Sequence, residues 1–306
     1  MRIRFIDLFC GIGGFRLGAE AALNAKRIPL ECVFSSDINV EAQRAYEANF
    51  GHLPAGDITG IDAESIPDHE LLLAGFPCQP FSIMGESKGF EDTRGTLFFD
   101  IARILESKKP AAFVLENVRR LASHDKGRTL IRILETLAGL GYKTEHRILN
   151  ALDFGLPQKR ERLLIVGFHG DQTMNWESAK VPMTPLSEIL ETNVSSELHA
   201  SERIRLQRKE KCDSLERPTI WHENKSGHIS ALPYSCALRA GASHNYLLVN
   251  GERRLSPREM LRLQGFPENY RIVGNYGQIR KQAGNSVPVP MIQSVVKGVT
   301  DAMKWG

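Results

Sequence analysis

The succession of apolar runs predicts an α/β protein built on a parallel sheet, and three observations carry that expectation. Strand-length apolar segments alternate with helix-length segments through the first 170 residues, as βαβ units require. The first junction is a glycine-rich turn, which lets a strand pass directly into a helix beside a ligand. The 306 residues, 42% of them hydrophobic, suffice for one large domain, or one large and one small.

Residues 3–9 are apolar and β-branched and read as a buried strand. The turn Cys10-Gly11-Ile12-Gly13-Gly14 follows, then a helix-like run over 15–25. A second strand is expected over 31–36 and a helix over 40–49. Residues 71–74 form a short apolar strand that ends in Gly75-Phe76-Pro77-Cys78. Residues 96–106 have a helical pattern and 111–115 are again a strand. The helix expected over 130–140 stops at Gly141, as a C-terminal glycine cap does, and 162–168 (RLLIVGF) is the last strand of the series. From 170 to 250 no period is sustained and proline and charge become common. This reads as a smaller, loop-rich domain with short β pieces such as 246–249. Helical signal returns over 257–264 and 287–304. The expected division is a catalytic, cofactor-binding domain of 1–180 plus 284–306, a second domain of 181–255, and a hinge of 256–283.

Bulk properties exclude several classes. No apolar run approaches the roughly 20 residues of a membrane span, and the N-terminus enters a strand with charge where a signal peptide has its apolar region. The five cysteines are odd in number and contain no CxxC pair, so neither a disulfide framework nor a zinc site is expected. A reducing cytoplasm fits. The net charge of +3 is uneven: 203–281 holds 15 Lys/Arg against 7 Asp/Glu, and the remainder 24 against 29. A basic segment on a mildly acidic body suggests an anionic partner on one side, although a solvated basic surface has the same pattern.

Two constellations carry chemistry. In the first, Gly11, Gly13 and Gly14 let the backbone approach a ligand at a helix N-terminus, or else only pack a tight turn. Asp37, at the end of the second strand, is placed to bond a ribose, and Asp57 to accept from an adenine amino group. Singly, each is more often a turn or cap residue. Together at the carboxyl edge of a parallel sheet they point to an adenosine ligand, and the spacing departs from the GxGxxG dinucleotide fingerprint. In the second, Cys78 follows an apolar strand between Pro77 and Pro80, which fix the backbone. A thiol held rigidly at the sheet edge suits nucleophilic work, since its pKa lies near neutrality. A small buried hydrophobe is the commoner fate of a free cysteine, and the one expected for the other four.

DLFCGIGGF (7–15) and GFPCQPFS (75–82) together resemble the signature of the cytosine-5 DNA methyltransferases, in the manner of the prokaryotic restriction–modification type. The likeness continues through GFEDTRGTLF (89–98), ENV (116–118), QKRER (158–162), Arg258-Glu259, LQGFP (263–267) and QAGNSVP (282–288), in the family's order. It covers most of the chain outside 170–250.

The resemblance implies a Rossmann-like, S-adenosylmethionine-dependent methyltransferase fold with a second, smaller target-recognition domain. It implies S-adenosylmethionine as cofactor, S-adenosylhomocysteine as product and double-stranded DNA as substrate. Cys78 matches the nucleophile that attacks C6 of cytosine, and Glu116 the acid that meets charge at N3. Arg162 matches the residue that holds O2, and Arg160 its neighbour beside the thiol. Cofactor contacts carried over are Phe9, Gly11, Ile12, Gly13, Gly14, Asp37, Ile38, Asp57, Ile58, Pro77, Leu97, Asn285 and Val287. Asn285 stands so late in the chain that the last helix must fold back onto the first domain. The base must leave the duplex, and the family's mobile loop falls at about 81–96, where Lys88 and Arg94 reach phosphates. Gln79, Ser82, Arg239 and His244 are further candidate DNA contacts, and the basic segment matches the target-recognition region. Two departures stand out: Ile38, where an aromatic residue is frequent, and Ala237, where the family has Thr before Leu238.

A tRNA cytosine-5 methyltransferase is the nearest rival, but its Cys-Phe-Thr tripeptide is missing from the sequence. A catalytically silent DNA-binding homologue and a small-molecule methyltransferase are further alternatives. Neither accounts for the catalytic set and the charge asymmetry together. The expectation is a cytoplasmic, nucleoid-associated prokaryotic enzyme, monomeric, either with a cognate restriction endonuclease acting on the same site or marking the genome alone.

Overall fold

The computed structural model describes residues 2–77, 97–177, 180–212, 214 and 216–306. Its central sheet holds β1 (Ile3–Leu8), β2 (Leu30–Ser36), β3 (Leu71–Gly75) and β4 (Ala112–Val118), all parallel, beside β5 (Lys143–Asn150). The strand order is β2-β1-β3-β4-β7-β5, with β7 (Glu161–Phe168) antiparallel to both β4 and β5. The first four strands bear out the expected parallel sheet, and β7 departs from it. The hairpin between β5 and β7 is too short for a crossover helix, so β7 must return antiparallel, filling the gap between β4 and β5. β5 itself was not anticipated: KTEHRILN is largely exposed and carries no clean alternation.

Helices cover both faces. The buried stripes of α1 (Gly14–Ala25) and the C-terminal α9 (Val289–Ala302) share a core with Ile3, Phe5, Leu71, Val114 and Val166. The last helix thus lies back against the first. On the other face α3 (Leu97–Lys108) and α4 (Arg128–Gly139) pack on Ile6, Leu72, Phe113 and Leu115. Alternate residues of each strand serve opposite cores, as the two-residue period requires. The helix over 130–140 ends at the anticipated place, with Gly141 at φ +86.

A third core joins α2 (Val40–Phe50) to the chain's later part: α5 (Leu186–Ile189), α7 (Pro257–Leu263) and α8 (Tyr276–Asn285). The small antiparallel sheet β11-β8-β9 (Leu247–Val249, Ile220–Glu223, Ile229–Leu232) docks there, with α6 (Glu202–Lys211) alongside. A two-strand parallel bridge connects it to the body, β6 (Gln158–Lys159) pairing with β10 (Ser235–Cys236). Of the described cysteines only Cys10 is buried. Cys32, Cys212 and Cys236 are half-buried, which corrects the expectation that all four are core hydrophobes. No helix among the described residues is long and apolar enough to cross a membrane.

Candidate active site

One cavity of about 980 Å³ opens at the carboxyl edge of β1, β2, β3 and β4. Strand ends expose main-chain groups and side chains that no neighbouring element covers, so a parallel sheet places its ligands there.

At one end the cavity is built by the turn after β1. Phe9 adopts φ +54, a left-handed conformation uncommon for a residue with a side chain, and lines the wall. Gly11, Ile12 and Gly14 continue the lining. Gly13 does not; it is the one expected cofactor contact among the described residues that stands outside. Its φ is +82, and a Cβ there would fall 2.2 Å from the Phe50 ring, so this glycine serves the turn and the packing of α2.

Asp37 fixes this end. One carboxylate oxygen accepts from Gly11 N–H at 2.8 Å and the other from Asn39 N–H at 2.8 Å. Burial raises its pKa, against the lowering effect of those two amides. Asp57 caps the short turn Ile58–Gly60 by accepting from Thr59 N–H at 3.0 Å. Asp57 is thus a cap residue and Asp37 a turn residue ahead of Asn39, which caps α2; both aspartates line the cavity, along with Ile38, Ile58, Leu97, Asn285 and Val287. Ile38 is 71% exposed, apolar area with no protein cover.

The other end is built by β3, β4 and β7. Gly75, Phe76 and Pro77 line it, and Asn117 Nδ2 donates to the Phe76 carbonyl at 2.9 Å, fixing the chain where β3 ends. Glu116, 8% exposed, meets Arg162 with Nε 2.5 Å from Oε1. In the antiparallel register Arg162 stands opposite Val118, so the pair is a diagonal neighbour on one sheet face. Burial raises the Glu116 pKa, and Arg162 and then Arg160 oppose that rise. Burial and the two arginines thus pull on this carboxyl in opposite directions, and burial is the larger effect.

Arg160, 1% exposed, lines the cavity but is largely engaged with the main chain. Nη1 donates to the Leu238 carbonyl at 2.8 Å, and Nη2 to those of Gly284 (2.9 Å) and Ser286 (2.5 Å). Burial and the neighbouring Arg162 push its pKa down. Its Nε has no hydrogen-bond partner among the described residues. Arg162 lies within β7, and Arg160 sits in the gap between β6 and β7.

The structure therefore brings Glu116, Arg160, Arg162 and Pro77 into the same cavity as Asp37 and Asp57. Cys78, Gln79, Ser82, Lys88 and Arg94 lie outside the described residues. Arg239 and His244 are exposed and stand away from the cavity lining. The Arg239 guanidinium lies 4.8 Å over the Tyr246 ring, and the His244 ring is 6.2 Å from Tyr276. Sequence reasoning missed Gln278, Lys281 and Gln282, which α8 contributes to the lining. The signal for α8 was present as a capping box: Asn275 accepts from Gln278 N–H, and Gln278 accepts from Asn275 N–H.

Comparison with known proteins bears on this geometry. The family model for C-5 cytosine-specific DNA methylases matches residues 3–301. The type II methyltransferase M.NgoBI of Neisseria gonorrhoeae is 55% identical over 295 residues, covering 95% of this chain and 91% of that protein. M.HaeII of Haemophilus aegyptius is 52% identical over 301 residues, covering 97% and 93%. Among solved structures, the S. pombe Dnmt2 methyltransferase superposes with a TM-score of 0.73 at 20% identity, covering 99% of each chain. A putative DNA modification methyltransferase encoded within an E. coli prophage gives 0.67 at 19%, again covering 99% of each. At such identities these two structures bear on the fold alone.

Proposed function

From the premise that this chain belongs to the C-5 cytosine-specific DNA methylases, we propose that Cys78, Glu116 and Arg162 carry out its reaction on a cytosine flipped out of duplex DNA. The chain is a DNA (cytosine-5-)-methyltransferase with the Rossmann-like fold of S-adenosylmethionine-dependent methyltransferases. Its relatives are type II methyltransferases, which places it with the restriction–modification type.

The residues present fit S-adenosylmethionine. The cavity has room for an adenosine, with Phe9 and Ile38 as apolar walls. Each Asp37 oxygen uses one lone pair on an amide and keeps another for a ribose hydroxyl. Asp57 is our choice for the adenine amino group. The cofactor supplies an electrophilic methyl group, and every other step belongs to the protein and the base.

In our reading the Cys78 thiolate adds to C6, and the electron pair of the 5,6 double bond moves toward N3. Glu116, protonated or sharing a proton with N3, meets that charge. Arg162 bonds O2 and, through its contact with Glu116, fixes where the carboxyl points. C5, now enamine-like, takes the methyl group. Loss of the C5 proton to water then restores the ring and expels the Cys78 thiolate. Arg160 retains Nε for the thiol side of the site.

The observation that carries this reading is the Glu116–Arg162 pair, buried in the same cavity as Asp37 and Asp57 and beside the residue that precedes Cys78. The test is methyl transfer from labelled cofactor to duplex DNA and to tRNA side by side. Wild-type label is expected in DNA, slowed about 10²-fold or more in Glu116→Gln, which cannot deliver a proton. The raised Glu116 pKa sets the sign of the pH dependence. The rate falls as pH rises through it, and that limb is missing in the variant. Preferential labelling of tRNA contradicts the substrate assignment.

For the second unit we propose DNA reading by the region around β8, β9 and β11, with Arg239 and His244 as contacts and the basic surface supplying phosphate affinity. We further propose a monomer acting in the cytoplasm on nucleoid DNA, with a cognate restriction endonuclease at the same site.

A further inference from the structure

The segment leading into β7 ties the DNA-reading side of the molecule to the reacting side through alternate residues. Gln158 opens β6, Arg160 lies between β6 and β7, and Arg162 is the second residue of β7. Arg162 meets Glu116. The other two hold a single residue from opposite sides: Leu238 N–H donates to Gln158 Oε1 at 2.9 Å, and the Leu238 carbonyl accepts from Arg160 Nη1 at 2.8 Å. Gln158 is fully buried, and its Nε2 donates to the Leu263 carbonyl at 2.8 Å, where α7 ends. Its carboxamide is thus used at both ends, on main-chain groups 80 and 105 positions away in sequence. It is not among the residues that line the cavity.

The segment so held carries Arg239. The Tyr246 hydroxyl accepts Arg239 N–H at 2.9 Å and donates to the Ala237 carbonyl at 3.3 Å, and Arg280 Nη1 donates to the Ala242 carbonyl at 2.7 Å. Buried and half-buried side chains from outside the segment fix its backbone, while the Arg239 side chain stays exposed over Tyr246. These contacts do not use the side chain of residue 237, so Ala at that position costs none of them.

We propose that Gln158 is a positioning residue for DNA reading. Its carboxamide sets where the Ala237–Leu238–Arg239 backbone stands relative to the Glu116–Arg162 pair, so that the distance between read bases and reacting base is built into the short segment 158–162. Removing the carboxamide leaves Leu238 N–H and the Leu263 carbonyl buried without partners, and the segment moves to recover water or another bond. The inference rests on the assignment of the β8–β11 region to DNA reading.

The experiment uses the full chain, S-adenosylmethionine and unmethylated genomic DNA, with methylation sequencing to map the sites. Gln158→Ala, Tyr246→Phe and Arg239→Ala are compared with wild type for KM toward DNA, kcat, the share of methyl groups placed off the wild-type site, and S-adenosylhomocysteine affinity without DNA. Gln158→Ala is expected to raise KM by about tenfold and the off-site share severalfold, with S-adenosylhomocysteine affinity within about twofold of wild type. Tyr246→Phe is expected to shift both in the same direction and by less. It carries the test if Gln158→Ala does not fold. Lower stability with unchanged KM and site choice in Gln158→Ala and Tyr246→Phe, while Arg239→Ala is impaired, overturns the positioning role. Unchanged KM and site choice in all three overturns the assignment of this region to DNA reading.

Discussion

Two buried carboxyls stand near the cavity, and their surroundings set them apart. Glu116 is paired with Arg162 at 2.5 Å, which opposes the rise in pKa that burial causes. Asp7 is fully buried at the end of β1, and neither carboxylate oxygen has a partner among the described residues. Burial, against the opposing pull of Arg16, pushes its pKa up to about 8, from an ordinary value of 3.8. The native state therefore holds a proton there that the unfolded chain releases above its own pKa. Below pH 4 both states are protonated and the contribution to stability is fully present. It is lost as pH rises toward 8, by about 1.4 kcal/mol per pH unit from this group. Asp7→Asn removes that slope: denaturant unfolding between pH 5 and 9 is expected to show a flatter profile, with the variant gaining on wild type toward high pH. Parallel profiles contradict a protonated Asp7. Its Asp-Leu-Phe setting places it at the end of the first strand, but burial without a hydrogen-bond partner is a property of the folded packing that residue type does not carry.

Among the elements, β7 decides the geometry of the site, because it enters the sheet between β4 and β5 and brings Arg162 beside Glu116. Its place depends on Gly167, opposite Phe113 in the register, where a Cβ would fall 2.1 Å from the ring. Gly167→Ala is expected to lower unfolding stability by about 1–3 kcal/mol through overpacking, with KM for DNA unchanged in the folded enzyme. Denaturation together with steady-state kinetics checks it, and an unaltered stability contradicts the packing account. β1, β3 and β4 were legible because each is buried on both faces and reads as an apolar run, whereas β2 is a half-exposed edge strand. β5 was not, being an exposed edge, and α6 and α8 were not, being short on apolar residues. The direction of β7 could have been argued from the length of the connection before it, which no crossover helix fits.

On the scale of the whole molecule, the two ends of the cavity proposed for adenosine and for the reaction were each legible from local motifs, since each is made by residues close in sequence at a strand end. The coupling of both to the basic second unit was not legible. It runs through Gln158, Arg160 and Arg280, whose partners are main-chain groups 38 to 126 positions away, and a main-chain partner leaves no trace in residue type. The central claim is that Cys78 attacks a cytosine held by Glu116 and Arg162 beside the methyl donor. A duplex carrying 5-fluorocytosine at the methylated site tests it most directly, because fluorine cannot leave as a proton does and the covalent complex persists. With S-adenosylmethionine present, mass spectrometry is expected to find the adduct on Cys78, and Cys78→Ser is expected to bind the duplex without forming it. An adduct on any other cysteine, or full methyl transfer by Cys78→Ser, contradicts the account.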